Sequence, residues 1–314
     1  MVLAEALVLL AALAVLERSS ARVIDSAVKL AQFFGVMEAT IGFVLVSVST
    51  SLPELAVSVI ASSAREGSIV AGNVFGSNIA DAMLILGIIA SFYVIRVARP
   101  DMKEIALVLL VASLITSGII YTTGLGRLEG TLLILAFVVY VFYLTRKRVS
   151  VAGPNGVTRG TALRAFAWFC AGIVLVLVSA HFVVENAVAI ANELGLAKSF
   201  VGATIIAVGT SLPELAVDVQ AVRRKKYGLA LGDAIGSMMA NLTLVLGLAA
   251  FMNPIRLNMA IFLPIMLFAV AANTILLYFM STQNKLARRE GLAMLAFYAF
   301  YLLVIFNIQI MVKA

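Results

Sequence analysis

Long apolar runs, each of roughly 20 residues and so about the length that crosses a hydrocarbon core, dominate the chain. Ten of them can be placed, at roughly 2–30, 39–62, 69–92, 104–121, 129–145, 164–190, 199–221, 229–251, 259–280 and 291–312. Short hydrophilic breaks separate them. The most polar, at 146–163, opens with Arg146-Lys147-Arg148 and contains the turn-forming Gly153-Pro154-Asn155-Gly156. The pattern predicts an all-α membrane protein with ten transmembrane helices.

One stretch occurs twice. Thr50-Ser51-Leu52-Pro53-Glu54-Leu55-Ala56-Val57 returns 160 residues later as Thr210-Ser211-Leu212-Pro213-Glu214-Leu215-Ala216-Val217. In the same register Gly72, Gly76, Ser77, Ala80, Leu84, Leu86 and Gly87 recur as Gly232, Gly236, Ser237, Ala240, Leu244, Leu246 and Gly247. The chain therefore reads as two copies of one five-helix unit, 1–145 with its motif at 47–87 and 164–314 with its motif at 207–247, joined by the cytoplasmic linker 146–163. Passing from a point in one unit to its equivalent crosses five spans, an odd number, so the units are expected to be inverted. Inverted repeats with interrupted helices are the signature of secondary transporters.

Composition agrees. Of 314 residues 63% are hydrophobic and 12% charged, against about 25% charged in soluble domains, and the mean hydropathy is +1.09. The single Cys170 excludes an internal disulfide framework and a cysteine-based zinc site. A net charge of +7 need not mean nucleic acid, because the basic residues sit in short loops. With the N-terminus outside, fifteen of the 23 Lys and Arg flank cytoplasmic loops and five flank external ones; Arg18, Arg22 and Lys29 lie within the first span. Both termini are therefore expected outside. The first 16 residues lack a basic n-region and contain Glu5, which favours a first span over a cleaved signal peptide. Neither H-E-x-x-H nor G-x-S-x-G is present, so an intramembrane enzyme has no support.

The second span runs apolar from Ile41 to Val46 and then meets Ser47, Ser49, Thr50, Ser51, Pro53 and Glu54. Proline has no N–H for the carbonyl four residues back, so the Ser49 carbonyl is freed, as is that of Gly209 in the other unit. Nearby hydroxyls compete for the same backbone. A helix broken at midplane depth is tolerated only where it lines a cavity or is buried in protein. The carboxyl end of its first half carries partial negative charge suited to a cation. Glu54 and Glu214 lie about midway along their spans, where a carboxylate costs at least about 2.5 kcal/mol. A cation site explains such a pair better than two structural glutamates at helix kinks.

In spans three and eight Asn73, Ser77 and Asp81 fall at i, i+4 and i+8, as do Asp233, Ser237 and Asn241. Each set lines one helix face over about 12 Å. Ser77, Asp81, Ser237 and Asn241 read as ion ligands; Asn73 and Asp233 read equally well as interhelical hydrogen-bonding groups. All the donors are oxygens, which suits hard cations such as Ca²⁺ rather than transition metals. Three carboxylates (Glu54, Glu214 and Asp81) match one Ca²⁺ or three Na⁺. His181, the only histidine, reads as a packing residue, and Arg22 is expected to pair with Asp25 on its own helix.

These paired motifs in a five-plus-five arrangement resemble the cation/Ca²⁺ exchanger superfamily, most closely its sodium/calcium exchanger branch with archaeal and bacterial members. The resemblance covers nearly the whole chain. It implies that Glu54 and Glu214 are the principal Ca²⁺ ligands, helped by the main-chain carbonyls of Thr50 and Thr210. It also implies flanking Na⁺ sites from the Ser47 and Ala207 carbonyls with Ser51, Ser77, Ser211 and Ser237, with Asp81 and Asn241 completing the centre. The first and sixth helices would slide over a rigid core.

There are departures. The best-known archaeal arrangement has Asn in the first half and Asp in the second where this chain has Asp81 and Asn241. Ser49 stands where the motif usually has Gly, and Asp233 replaces an Asn. Asp218, whose counterpart is Ser58, either lines an ion passage or is a solvated helix end near Arg223.

The expected function is secondary antiport, cytosolic Ca²⁺ for external Na⁺, by alternating access and without a cofactor. H⁺/Ca²⁺ antiport on the same scaffold is the main alternative, since carboxylates at a desolvated midplane can carry protons. The serines favour Na⁺, because hydroxyls do not carry protons at ordinary pH. A passive Ca²⁺ channel is a further alternative. The partners implied are Ca²⁺, Na⁺ (or H⁺) and the lipid bilayer of the cell membrane, with no nucleic acid and a monomeric chain.

Overall fold

The computed structural model describes residues 2–97, 100–146, 157–193 and 211–313. Helix α1 (Val2–Phe34) ends at Gly35, whose φ of +64° is open to glycine at little cost, and the chain turns through 118° into α2 (Glu38–Thr50). A single-residue break at Ser51 leads to α3 (Leu52–Ser63), and a tight turn through Arg65 leads to α4 (Gly67–Phe92). Then follow β1 (Ile95–Arg96), α5 (Pro100–Thr122), α6 (Arg127–Arg146) and α7 (Arg159–Glu193). The second half continues with α8 (Leu212–Arg223), α9 (Tyr227–Met252), α10 (Met259–Gln283), β2 (Lys285–Leu286) and α11 (Arg288–Lys313).

Among the described residues seven helices are long and apolar enough to cross a membrane, or eight if the bent α1–α2 pair is one span. The ten apolar runs do not all pass because three are interrupted. Glu17, Arg18, Arg22, Asp25 and Lys29 charge the first run, the break at Ser51 divides the second, and the run at 199–221 is described only from residue 211. Most of the linker, 147–156, also lies outside the described residues, and Arg159 at its far end already belongs to α7.

The two halves repeat in backbone detail. Ser51 and Ser211 cap α3 and α8 with ψ of 9° and 10°, α3 and α8 each run 12 residues, and Arg65 and Lys225 turn with φ of 63° and 61°. Helices α4 and α9 each contain one π-helical turn, at Ala80–Ile85 and Asn241–Val245. These two helices form the centre, with 78% of their apolar windows buried, against 22% for α6. The outer helices turn Leu132, Leu135, Val138, Val139 and their like outward, the arrangement of a chain solvated by lipid.

Packing crosses between halves. Helix α6 docks on α9 and α11 docks on α4. Glycine permits both, since a Cβ on Gly130 would lie 2.6 Å from the Gly247 oxygen, and one on Gly291 would lie 2.7 Å from the Gly87 oxygen. The connecting loops follow the same rule: β1 pairs antiparallel with β2, and Leu125 bridges to Ile255. Glu129 and Glu290 cap their helices alike, accepting from the backbone N–H of Gly126 (2.9 Å) and Ala287 (3.1 Å).

Helices α1 and α7 lie against one another beside this core. The expected Arg22–Asp25 pair does not form. Asp25 instead pairs with Arg224, Glu17 pairs with Arg223 at 3.0 Å, and Arg22 stacks over the Trp168 ring at 4.7 Å. A cross-helix partner was closer than the one on the same helix. Nor is His181 packed inside: its side chain is 75% exposed, 3.8 Å from Glu185 on the outer face of α7.

Candidate functional site

Helix α2 is loosened before it breaks. Its hydroxyls turn back onto its own carbonyls: Ser47 Oγ donates to Phe43, Ser49 Oγ to Leu45 (2.7 Å), and Thr50 Oγ1 to Val46 and Ser47 (3.2 Å each). Pro53, in the first turn of α3, has no N–H to return to Ser49. The segment leading to the break packs directly on α9, with Gly42 against Leu229 and Ser47 against Gly236, and Thr50 and Ser51 are themselves buried, so the break lies in protein and not in lipid.

Glu54 follows that break and is wholly buried, and neither of its carboxylate oxygens receives a donor. Glu214, Asp81 and Asn241 are also buried, each with one side-chain oxygen free of a partner, as is the Ser51 hydroxyl. The carboxylates of Glu54, Glu214 and Asp81 lie within mutual electrostatic range. The Ser211 hydroxyl lies near Asp81 and the Thr50 hydroxyl near Glu214. Thr50 Oγ1 also stands 3.3 Å from Asp233 Oδ1 and 3.5 Å from Ser237 Oγ. Ser47, Ser77 and Ser237 are also buried. Thr210 and Ala207, expected to contribute carbonyls, lie outside the described residues.

Buried oxygens without donors are expensive unless a cation completes them. Among the described residues no three His, Cys, Asp or Glu side chains already converge on one metal position. What is present is a set of carboxylate, amide and hydroxyl oxygens from both halves, the chemistry of a hard-cation site.

Asn73 takes the hydrogen-bonding role, donating to the Glu54 carbonyl and to Ser58 Oγ at 2.9 Å each. It thereby fixes α3 against α4. Asp218 is no solvated helix end: it is fully buried and within hydrogen-bond range of Asp233. Two features escape a reading of the pattern. Asn78 Nδ2 donates to the Met238 carbonyl at 3.1 Å where α4 and α9 cross, and Asp81 and Asn241 sit at the start of the π-helical turns. The recurrence of polar residues at these positions was visible; the widened turns were not, because the hydrophobic period does not change across five or six residues.

A family model described as sodium/calcium exchanger protein matches residues 5–146 and 164–307. The chain belongs to the sodium/calcium exchanger family. Within this family of exchangers, not enzymes, it is 32% identical to the sodium/calcium exchanger MaX1 of Methanosarcina acetivorans, over 96% of this chain and 98% of that protein. It is also 32% identical to the inner membrane protein YrbG of Escherichia coli, over 81% of each. Solved structures of the sodium-calcium exchanger NCX_Mj, soaked without Na⁺ and Ca²⁺ or with 10 mM Na⁺, match it with TM-scores of 0.84 and 0.83. Those matches are 27% identical and cover 96% of this chain and 98% of theirs. The exchanger fold therefore extends over 96% of the chain, as a multi-span membrane protein.

Proposed function

We propose that this chain is a secondary antiporter that exchanges Ca²⁺ for Na⁺ through one midplane site by alternating access. The observation that carries the reading is the symmetric pair Glu54 and Glu214, 160 residues apart, buried with unpaired oxygens and facing the carboxylate of Asp81. Glu54, Glu214, Asp81 and Asn241 hold the ions with the hydroxyls of Ser51, Ser77, Ser211 and Ser237 and the carbonyls of Ser47, Thr50, Ala207 and Thr210. The architecture is ten helices in two inverted repeats, 1–145 and 164–314, joined by a cytoplasmic linker at 146–163.

Inversion is supported by direction. Ala39, Gly42 and Ser47 meet Gly232, Asp233 and Gly236 in the same order, so α2 runs parallel to α9. Asn73 reaches back to Ser58, so α3 and α4 form a hairpin. Helix α4 then opposes α9. The excess of Lys and Arg in alternate loops supports both termini outside a cell membrane. The chain is proposed to work as a monomer. Helices α1 and α7, packed on each other at the side of the core, are the moving elements.

The test is Ca²⁺ uptake into proteoliposomes under an outward Na⁺ gradient or an outward H⁺ gradient. Uptake is expected with Na⁺ alone and is lost in Glu54→Gln and Glu214→Gln. Uptake driven by H⁺ alone would assign proton coupling, the second reading, which the number of buried carboxylates keeps in view. Uptake needing neither gradient would sink antiport.

A further inference from the structure

Asp218 and Asp233 stand apart from the symmetric site. Their equivalents in the first half, Ser58 and Asn73, close on each other through a 2.9 Å hydrogen bond, with Asn73 also satisfying the Glu54 carbonyl. The second half puts a carboxyl group at both places. Both residues have 0% exposure. Neither oxygen of Asp218 receives a donor, and Asp233 has one free oxygen while the other accepts from Thr50 at 3.3 Å. The two carboxyl groups nevertheless lie within hydrogen-bond range of one another, and the charged groups acting on Asp218 (Asp233, Glu214 and Asp81) are all acidic. Two carboxyl groups so placed, away from water, cannot both stay ionised unless a cation lies between them; the alternative is a shared proton.

Resting on the antiport reading above, we infer that Asp218 and Asp233 form an additional monovalent-cation site, without a counterpart at Ser58 and Asn73, occupied by Na⁺. Thr50 Oγ1 is its third donor. Four carboxylate oxygens and one hydroxyl fall short of the six to eight oxygens that Ca²⁺ takes, whereas one Na⁺ leaves the pair with a single charge. Position gives the site a role. Asp218 lies one turn beyond Glu214 toward the Arg224–Lys226 turn, so the bound ion sits between the midplane and that end of the molecule. It lowers the negative charge seen by whatever enters or leaves there.

The first half supplies the control. Asp218→Ser with Asp233→Asn rebuilds the Ser58–Asn73 pair, a hydrogen bond this backbone already accommodates. Equilibrium binding of radioactive Na⁺ to the purified chain is expected to show about one fewer ion per chain in this variant, with Ca²⁺ affinity changed less than about threefold. The double variant Asp218→Asn, Asp233→Asn should give the same loss, which separates missing charge from altered packing. An unchanged Na⁺ count in both variants would overturn the inference and leave exchange at Glu54 and Glu214 untouched. Proton release on Ca²⁺ binding that disappears in both variants while the Na⁺ count stays unchanged would also overturn it, in favour of a shared proton. Failure of Glu54→Gln to affect Ca²⁺ transport would instead strike the antiport reading, whatever the Na⁺ count.

Discussion

The hydroxyls before the helix break are not equivalent. Ser49 Oγ bonds only to the carbonyl of Leu45 within its own helix. Thr50 Oγ1 does that and also meets Asp233 and Ser237 from the opposite half. Replacing Thr50 by Val keeps the shape and removes a donor from a buried carboxylate. Such a hydrogen bond is worth about 1–2 kcal/mol, so Thr50→Val is expected to weaken half-saturation by Na⁺ about five- to thirtyfold. Ser49→Ala removes a local bond only and should stay within about twofold. Na⁺-dependent uptake in proteoliposomes measures both, and equal effects would show that the hydroxyls act only through the helix.

Element by element, the two halves are held by backbone contact at glycine more than by large side chains. Gly130 on α6 meets the Gly247 carbonyl of α9, and Gly291 on α11 meets the Gly87 carbonyl of α4. A methyl group at either point has backbone to displace, and overpacking of this kind costs about 1–3 kcal/mol. Gly130→Ala and Gly291→Ala should each lower the thermal midpoint in detergent by a similar amount. The losses should nearly add in the double variant, because the contacts share no residues. A neutral Gly130→Ala would mean that α6 and α9 can separate without penalty.

Much of this architecture was legible in the chain because each device recurs. Thr50–Val57 recurs as Thr210–Val217, and Gly87 recurs as Gly247. Glu54 and Glu214 stood out because a carboxylate in an apolar run needs a reason. Side-chain partners were less legible. Asn73 could equally have faced an ion, and only the structure shows its amide donating to Ser58 and Glu54. Arg22 and Asp25 satisfied the helical spacing of a pair, yet each found a better partner on another helix, a choice set by tertiary contact and not by periodicity.

At the scale of the whole molecule, the contacts between α1 and the core bear on alternating access. Glu17 and Asp25, two turns apart on α1, pair with Arg223 and Arg224 at the end of α8. These groups are partly exposed, and exposed ion pairs contribute little to stability, about 0–1 kcal/mol each. Their removal should barely move the thermal midpoint. Function is more sensitive, because the pairs exist only while α1 holds its present position on α8. If α1 slides during the cycle, as proposed, losing both pairs tilts the balance between the two access states by about 1 kcal/mol, roughly a fivefold shift in population. Arg223→Gln with Arg224→Gln should then move the Ca²⁺ half-saturation measured from the two membrane faces in opposite directions, by a few-fold each. Reversing the pair, Glu17→Arg with Arg223→Glu, should restore much of the original balance. Shifts in the same direction on both faces would place these arginines in ion attraction at the surface and not in the movement of α1.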